Sequence, residues 1–305
     1  MIEAAIMIEG QNGLNWPRWK RAVRVVEELG FTGLYRSDHF TNSNPPDLDS
    51  LELWTSLTWL ADHTERIEFG PLVTPLSFRD PVFIARMARE VDDLSGGRLT
   101  LGLGAGWQAR EHAMFGFDLL SVPDRFERLE EGLQVISSLL QESGPVSFTG
   151  RFYRLEQAQL LPPPSRPGGP PILVGGNGLK RTLPLAAKFA SEWNGVYIPP
   201  AEYRDRNERL DELLESEGRD PAQVRRSVMT GLVFASDPQE IEARAVARGS
   251  TPDELRRRGV IVGGGEQVIE ALAAYERAGA ARIMLQWLDL DDMQGLEALA
   301  GVLFG

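Results

Sequence analysis

Short apolar runs alternate along the chain with longer stretches whose apolar residues recur at helical spacing. Residues 2–8 read as a strand, and after them Trp16, Trp19, Val23 and Val26 step along one helical face. Residues 32–36 form the next strand-like run, followed by a helical stretch over about 51–63. The run from 66 to 73 precedes Pro81, whose missing N–H suits the first turn of a helix. Gly96-Gly97 then turns the chain into the run 98–103. Phe126, Leu129, Leu133, Ile136 and Leu140 mark the clearest helix, with charged residues on its other faces. Further strands are predicted at 172–174, 193–197, 228–234 and 282–286, and helices near 201–217, 238–248 and 266–278.

Eight strand candidates, each followed by helical sequence, argue a parallel sheet with helices over it. No composition break divides the chain, so closure is favoured over an open sheet. The expectation is an α/β fold, a TIM-like (β/α)8 barrel forming a single domain over residues 1–305. Residues 144–169 are too long for an ordinary connection. They are expected to form an insertion after the fourth helix, folded as an excursion over the barrel mouth.

Composition narrows the partners. The 305 residues carry 32 basic and 44 acidic side chains, a formal net charge of −12. Such a surface repels phosphate backbones and anionic lipid, so neither nucleic acid nor membrane is an expected partner. With no cysteine, the chain has no disulfide, thiolate nucleophile or cysteine-ligated metal. The start lacks the basic-then-apolar pattern of a signal peptide, and no apolar run nears the ~18 residues of a membrane helix. A cytoplasmic location is therefore expected.

Three clusters can carry chemistry. Arg36-Ser37-Asp38-His39-Phe40 ends the second strand, where barrel enzymes expose their reacting side chains. His39 can move a proton near neutral pH, with Asp38 expected to set its position and charge. Gly102-Leu103-Gly104-Ala105-Gly106-Trp107 ends the fourth strand, where Gly104 and Gly106 permit close approach of a flat ligand and Trp107 can line the pocket. Gly175-Gly176-Asn177-Gly178-Leu179-Lys180-Arg181 joins the fifth strand to a helix and suits a phosphate, with Lys180 and Arg181 adding charge. Each also has a structural reading: a loop histidine beside a capping aspartate, a turn with Trp107 in the core, a plain glycine turn. Gly263-Gly264-Gly265 lacks basic neighbours and reads as a loop before a capped helix. His112, following Glu111 without a partner at metal-binding spacing, reads as solvated helix surface, and no metal site is expected.

Taken together, the order of these blocks resembles the luciferase-like monooxygenase superfamily, in its branch dependent on the deazaflavin coenzyme F420. Ser37-Asp38-His39-Phe40, the run 94–99, Gly102 to Trp107, Phe148-Thr149-Gly150-Arg151-Phe152-Tyr153 and the run 172–181 carry the resemblance, over nearly the whole chain. It implies a ring bound at the barrel mouth and a phosphate at the turn 176–181. It also implies a non-proline cis peptide in a bulge after the third strand, where Leu72–Val73 stands, making both residues cofactor-binding candidates.

The sugar-phosphate dehydrogenases of that superfamily have a tryptophan shortly after the Asp-His pair and a glutamate at the position of Trp107. Here Thr41-Asn42-Ser43-Asn44 and Trp107 stand instead, so the resemblance implies the cofactor more than a glucose-6-phosphate substrate. The leading expectation is an F420-dependent oxidoreductase moving hydride to or from a small organic substrate. The alternatives are an FMN-dependent monooxygenase using reduced flavin and oxygen, and a non-catalytic cofactor-binding protein. A homodimer is possible, with the apolar side chains around Trp54 and Trp59 serving an interface or the core. Replacing Gly176 by valine is expected to weaken cofactor binding with little loss of barrel stability.

Overall fold

The computed structural model describes residues 2–305. Eight parallel strands carry the fold: β1 (Glu3–Ile8), β2 (Gly33–Arg36), β3 (Glu68–Pro71), β4 (Leu101–Gly104), β5 (Ile172–Gly175), β6 (Glu192–Val196), β7 (Arg225–Phe234) and β8 (Arg282–Gln286). All eight correspond to runs predicted from the apolar pattern. Pairing runs β3-β2-β1-β8-β7-β6-β5-β4. The ring is completed between β3 and β4, where Phe69 N donates to Arg98 O and Thr100 N donates to Phe69 O. A two-residue strand, Thr74–Pro75, also pairs with Leu103 and Gly104 of β4.

Helices cover the outside, and their starts follow from local chemistry. Asn15, Asp80 and Ser121 accept hydrogen bonds from the first turns of the helices Trp16–Glu28, Pro81–Leu94 and Val122–Gln141, each with proline at its start. Gly264 caps the helix Gly265–Arg277, as the glycine run predicts. A closing helix, Met293–Phe304, lies outside the predicted set. Trp54 is buried in the core. Among the described residues, no helix is long and apolar enough to cross a membrane.

Side-chain alternation along each strand divides the core into two layers. Ile6 and Ile8 of β1 join the large layer beneath the helices, while Ala5, Met7, Tyr35, Leu173, Met229 and Met284 fill the barrel interior. The same parity decides what reaches the mouth. On β2 and its extension, Tyr35, Ser37 and His39 share one parity, and Leu34, Arg36 and Asp38 share the other.

The peptide Leu72–Val73 is cis, at the position the resemblance implies. The bulge it belongs to explains two glycines. A Cβ on Gly102 would stand 2.1 Å from Pro71 O, and one on Gly104 2.5 Å from a Val73 methyl. These glycines therefore make room for the protein's own bulge before they make room for any ligand.

The excursion departs from expectation. It forms a hairpin, Val146–Thr149 with Arg154–Ala158, and none of its residues lines the cavity at the mouth. Glu131 of that helix accepts from the backbone N–H groups of Arg151, Phe152 and Tyr153 at the hairpin tip. Arg166 then carries the chain to Asp92 and Gly97, at the far end of the barrel. The carboxylate of Glu131 satisfies three turn donors at once, and this fixes the hairpin to the helix instead of the mouth.

Candidate active site

The C-terminal ends of the strands open into a cavity of about 610 Å³. Met7, Leu72, Val73, Val196 and Met229 give it an apolar floor and wall, and His39, Glu9, Gln11, Glu111, Arg125 and Asn194 supply polar groups. An apolar cleft with a few convergent polar groups at this end of a barrel is the usual form of a ligand site.

His39 Nδ1 lies 3.0 Å from Glu111 Oε2. A carboxylate accepts, so Nδ1 carries the hydrogen, and the neutral ring keeps its lone pair on Nε2. Burial by itself lowers the imidazole pKa, but the hydrogen bond and charge of Glu111 outweigh it and hold the value above the ordinary 6.5. Glu111 is fully buried, and its other oxygen accepts from Phe40 N. It reaches this place from the short helix Ala109–Phe115, which lays its inner face on the mouth.

Asp38 makes no hydrogen bond to His39, although its charge adds to what raises the imidazole pKa. Its carboxylate receives Arg79 Nε at 2.6 Å and Arg79 Nη2 at 2.7 Å, with Thr74 Oγ1 at 3.1 Å. Adjacent residues of an extended segment point to opposite sides, so Asp38 ties the end of β2 to the segment after the bulge while His39 faces the cavity. His112 is likewise not solvated: it is buried, with Nδ1 against Gln108 O, so Nδ1 donates and Nε2 is left without a partner. Trp107 is neither core nor fully inside the site. It stands 62% exposed at the rim, edge-on to His39 with ring centroids 5.7 Å apart.

The glycine turn after β5 divides. Gly175 and Gly176 line the cavity together with Thr182. Asn177 turns its amide back onto Val196, donating to its O and accepting from its N. Lys180 and Arg181 line a separate cleft with Glu127 and Glu130, and Arg181 lies over Phe126. Gly178 lines neither space and packs on Thr182. The chain leaves the mouth after Gly176, whose φ of +123° is a glycine conformation. A valine there is strained whatever binds, so that substitution does not separate binding from stability.

The cation that does face the cavity is Arg125, from the first turns of the helix Val122–Gln141. Its Nη1 donates to Gly106 O at 2.9 Å, and its buried Nε has no partner. Ser77 Oγ, beside Gly106, is also buried and unpartnered. Arg125, which lines the cavity with Gly176 and Thr182, suits an anionic group, and the apolar surface of Leu72 and Val73 suits a ring system. The cavity residues therefore fit a flavin-like cofactor. Arg125 is hidden in the sequence because its helical face is otherwise ordinary amphipathic surface.

A family model for luciferase-like monooxygenases matches residues 4–250. The chain belongs to the luciferase-like monooxygenase family. Its curated relatives differ in the reaction they are named for. The chain is 31% identical over 224 residues to an F420-dependent glucose-6-phosphate dehydrogenase of Kineococcus radiotolerans, covering 70% of this chain and 63% of the relative. It is 29% identical over 264 residues to a 5,10-methylenetetrahydromethanopterin reductase of Archaeoglobus fulgidus, covering 82% and 72%. It is 32% identical over 199 residues to the pyrimidine monooxygenase RutA of Agrobacterium fabrum, covering 63% and 52%. The chain thus spans under two thirds of the length of the first and third of these relatives. An F420-dependent secondary alcohol dehydrogenase superposes with a TM-score of 0.83 over 99% of this chain and 98% of that one, at 19% identity, a likeness of fold. By name, the relatives of this chain thus include an F420-dependent dehydrogenase, a reductase and a monooxygenase.

Proposed function

We propose that this protein is an F420-dependent oxidoreductase that moves hydride between the deazaflavin and a small organic substrate. The observation that carries the reading is the pairing of His39 with Glu111. It fixes one imidazole nitrogen as a donor to Glu111 and leaves the other free in the cavity, the arrangement a proton acceptor or donor needs. When bound, the cofactor supplies the two-electron chemistry. The chain's residues do the rest. Leu72 and Val73 would carry the ring, Arg125 and Thr182 would hold the phosphate where Gly175 and Gly176 leave room for it, and His39 would give or take the substrate proton. Asp38 acts at a distance, by holding Arg79 and Thr74 and so the bulge.

An FMN-dependent monooxygenase is the second reading, supported by the 32% identity to a pyrimidine monooxygenase. Titrating the apo-protein with F420 and with FMN separates them, because tighter F420 binding is expected and tighter FMN binding reverses the order. Under the leading reading His39→Ala lowers turnover by roughly 10²–10⁴-fold and leaves cofactor affinity nearly unchanged. Equal turnover in the variant would remove His39 from the chemistry.

A further inference from the structure

Along β1 the inward series is Glu3, Ala5, Met7, and its next member, Glu9, lines the mouth cavity. The carboxylate of Glu9 is oriented from two sides. Gln286 Nε2 donates to Oε1 at 2.7 Å, and Gln11 Nε2 donates to Oε2 at 2.9 Å. The two amides are themselves held, by the Tyr197 hydroxyl donating to Gln286 Oε1 and by Ser37 Oγ donating to Gln11 Oε1. Amide donors fix where a carboxylate points without neutralising it, and Arg36 and His39 act on Glu9 only through space.

Among the described residues, Glu9 has no ion-pair partner. Arg36, which packs against Gly10, donates instead to Ser37 O, Ser56 Oγ and Leu51 O. Arg125 bonds Gly106 at the end of β4, nearly opposite β1 in the barrel order. The cavity is therefore polarised. Apart from the His39–Glu111 pair, whose charges answer each other, the cation Arg125 lies on the β4–β5 side and the oriented carboxylate of Glu9 on the β8–β1 side. Holding a carboxylate in an apolar-walled cavity costs desolvation that an incoming cation offsets. The exposed face of Trp107 at the rim can add cation–π attraction.

We propose that Glu9 determines specificity: the substrate carries a cationic nitrogen, an ammonium, iminium or amidinium group, that docks on this carboxylate. The inference rests on the mouth being the cofactor site with its phosphate at β4–β5, since that leaves the β8–β1 side to the substrate.

Benzamidine and its neutral near-isostere benzamide are the probes, titrated calorimetrically near neutral pH into the protein loaded with whichever of F420 or FMN it binds. Wild type is expected to prefer benzamidine by about tenfold or more, and Glu9→Gln to bring the two within about threefold. Trp107→Ala is expected to weaken both probes and keep part of the preference. Equal affinities in wild type, or a preference that survives Glu9→Gln, overturns the proposal. So does a loss of cofactor affinity in Glu9→Gln, which would assign the carboxylate to the cofactor. Cofactor titrations without probe report separately on the underlying reading. If neither cofactor binds, that reading fails, and the same probe pair on the apo-protein still decides the role of Glu9.

Discussion

At the N-terminal end of the barrel, charges are consumed by one another. Arg282 is buried among Glu3, Glu68 and Glu192, each from the first residue of its strand, and its Nη1 donates to the Tyr35 hydroxyl at 2.6 Å. Arg225 adds a second cation to Glu68 and Glu192. At the C-terminal end, among the described residues, groups are left open beside the paired Asp38–Arg79 and His39–Glu111: Glu9 has no ion-pair partner, Arg125 Nε and Ser77 Oγ have no acceptor, and His39 keeps one free ring nitrogen. The same alternation supplies both ends, since Glu3 and Glu9 belong to one inward series of β1. Pairing makes one end a clasp. At the other end Glu9 and Arg125 stand outside the Asp38–Arg79 and His39–Glu111 pairs, and that leaves room for a ligand.

The sharpest way to break this contrast is to open the clasp. Arg282→Met removes the shared cation and leaves the buried Glu192, whose carboxyl burial already pushes above its ordinary value, without its main partner. Breaking a buried network on one side costs about 3–5 kcal/mol. Denaturant unfolding of the variant is expected to show that loss, while the fraction that remains folded binds cofactor as wild type does. A fall in cofactor affinity of the folded fraction would mean the two ends are not independent.

Arg125→Met asks the converse question at the mouth. The side chain makes one backbone hydrogen bond and keeps a buried donor in reserve. A hydrogen bond to a charged group contributes about 1.5–3 kcal/mol, so cofactor affinity is expected to fall roughly 10- to 100-fold. Unfolding stability should change far less than in Arg282→Met. Unchanged affinity would move the phosphate away from the β4–β5 side.

The sequence carried the architecture because apolar periodicity is a local signal: every barrel strand and the helix Val122–Gln141 stood out by spacing alone. His39, the Leu72–Val73 bulge and Gly175–Gly176 were visible as positions at strand ends. What stayed hidden was pairing across the fold. Glu111 reaches His39 from 72 residues away, and Arg125 reaches Gly106 from 19. Asp38 drew attention because it is adjacent to His39, yet adjacency in an extended segment separates side chains. Parity along β1 and β2 is the signal that was available: it sends Glu9 and His39 inward together and Asp38 outward. Lys180 and Arg181 looked like phosphate ligands by charge, but the chain turns away before reaching them.

The smallest expected effect concerns Glu111, the acid that pairs with His39 inside the cavity. Glu111→Gln keeps the shape and one acceptor and removes the negative charge. Burial, which lowers the His39 pKa, then loses its main opponent, so a value held above 6.5 is expected to drop. If His39 takes a proton, turnover rises with pH through this pKa, and if it gives one, turnover falls through it. In both directions the break moves to lower pH in the variant, so the test does not depend on which way hydride travels. Stability supplies an independent reading with a fixed sign. A pKa raised on folding contributes stability below the unfolded value near 6.5, lost as pH rises through the folded value. The variant should therefore melt lower than wild type mainly in acid, with the gap narrowing towards pH 8. A break that stays in place, together with a gap constant across pH, would show that Glu111 holds the Phe40 backbone and not the charge of His39.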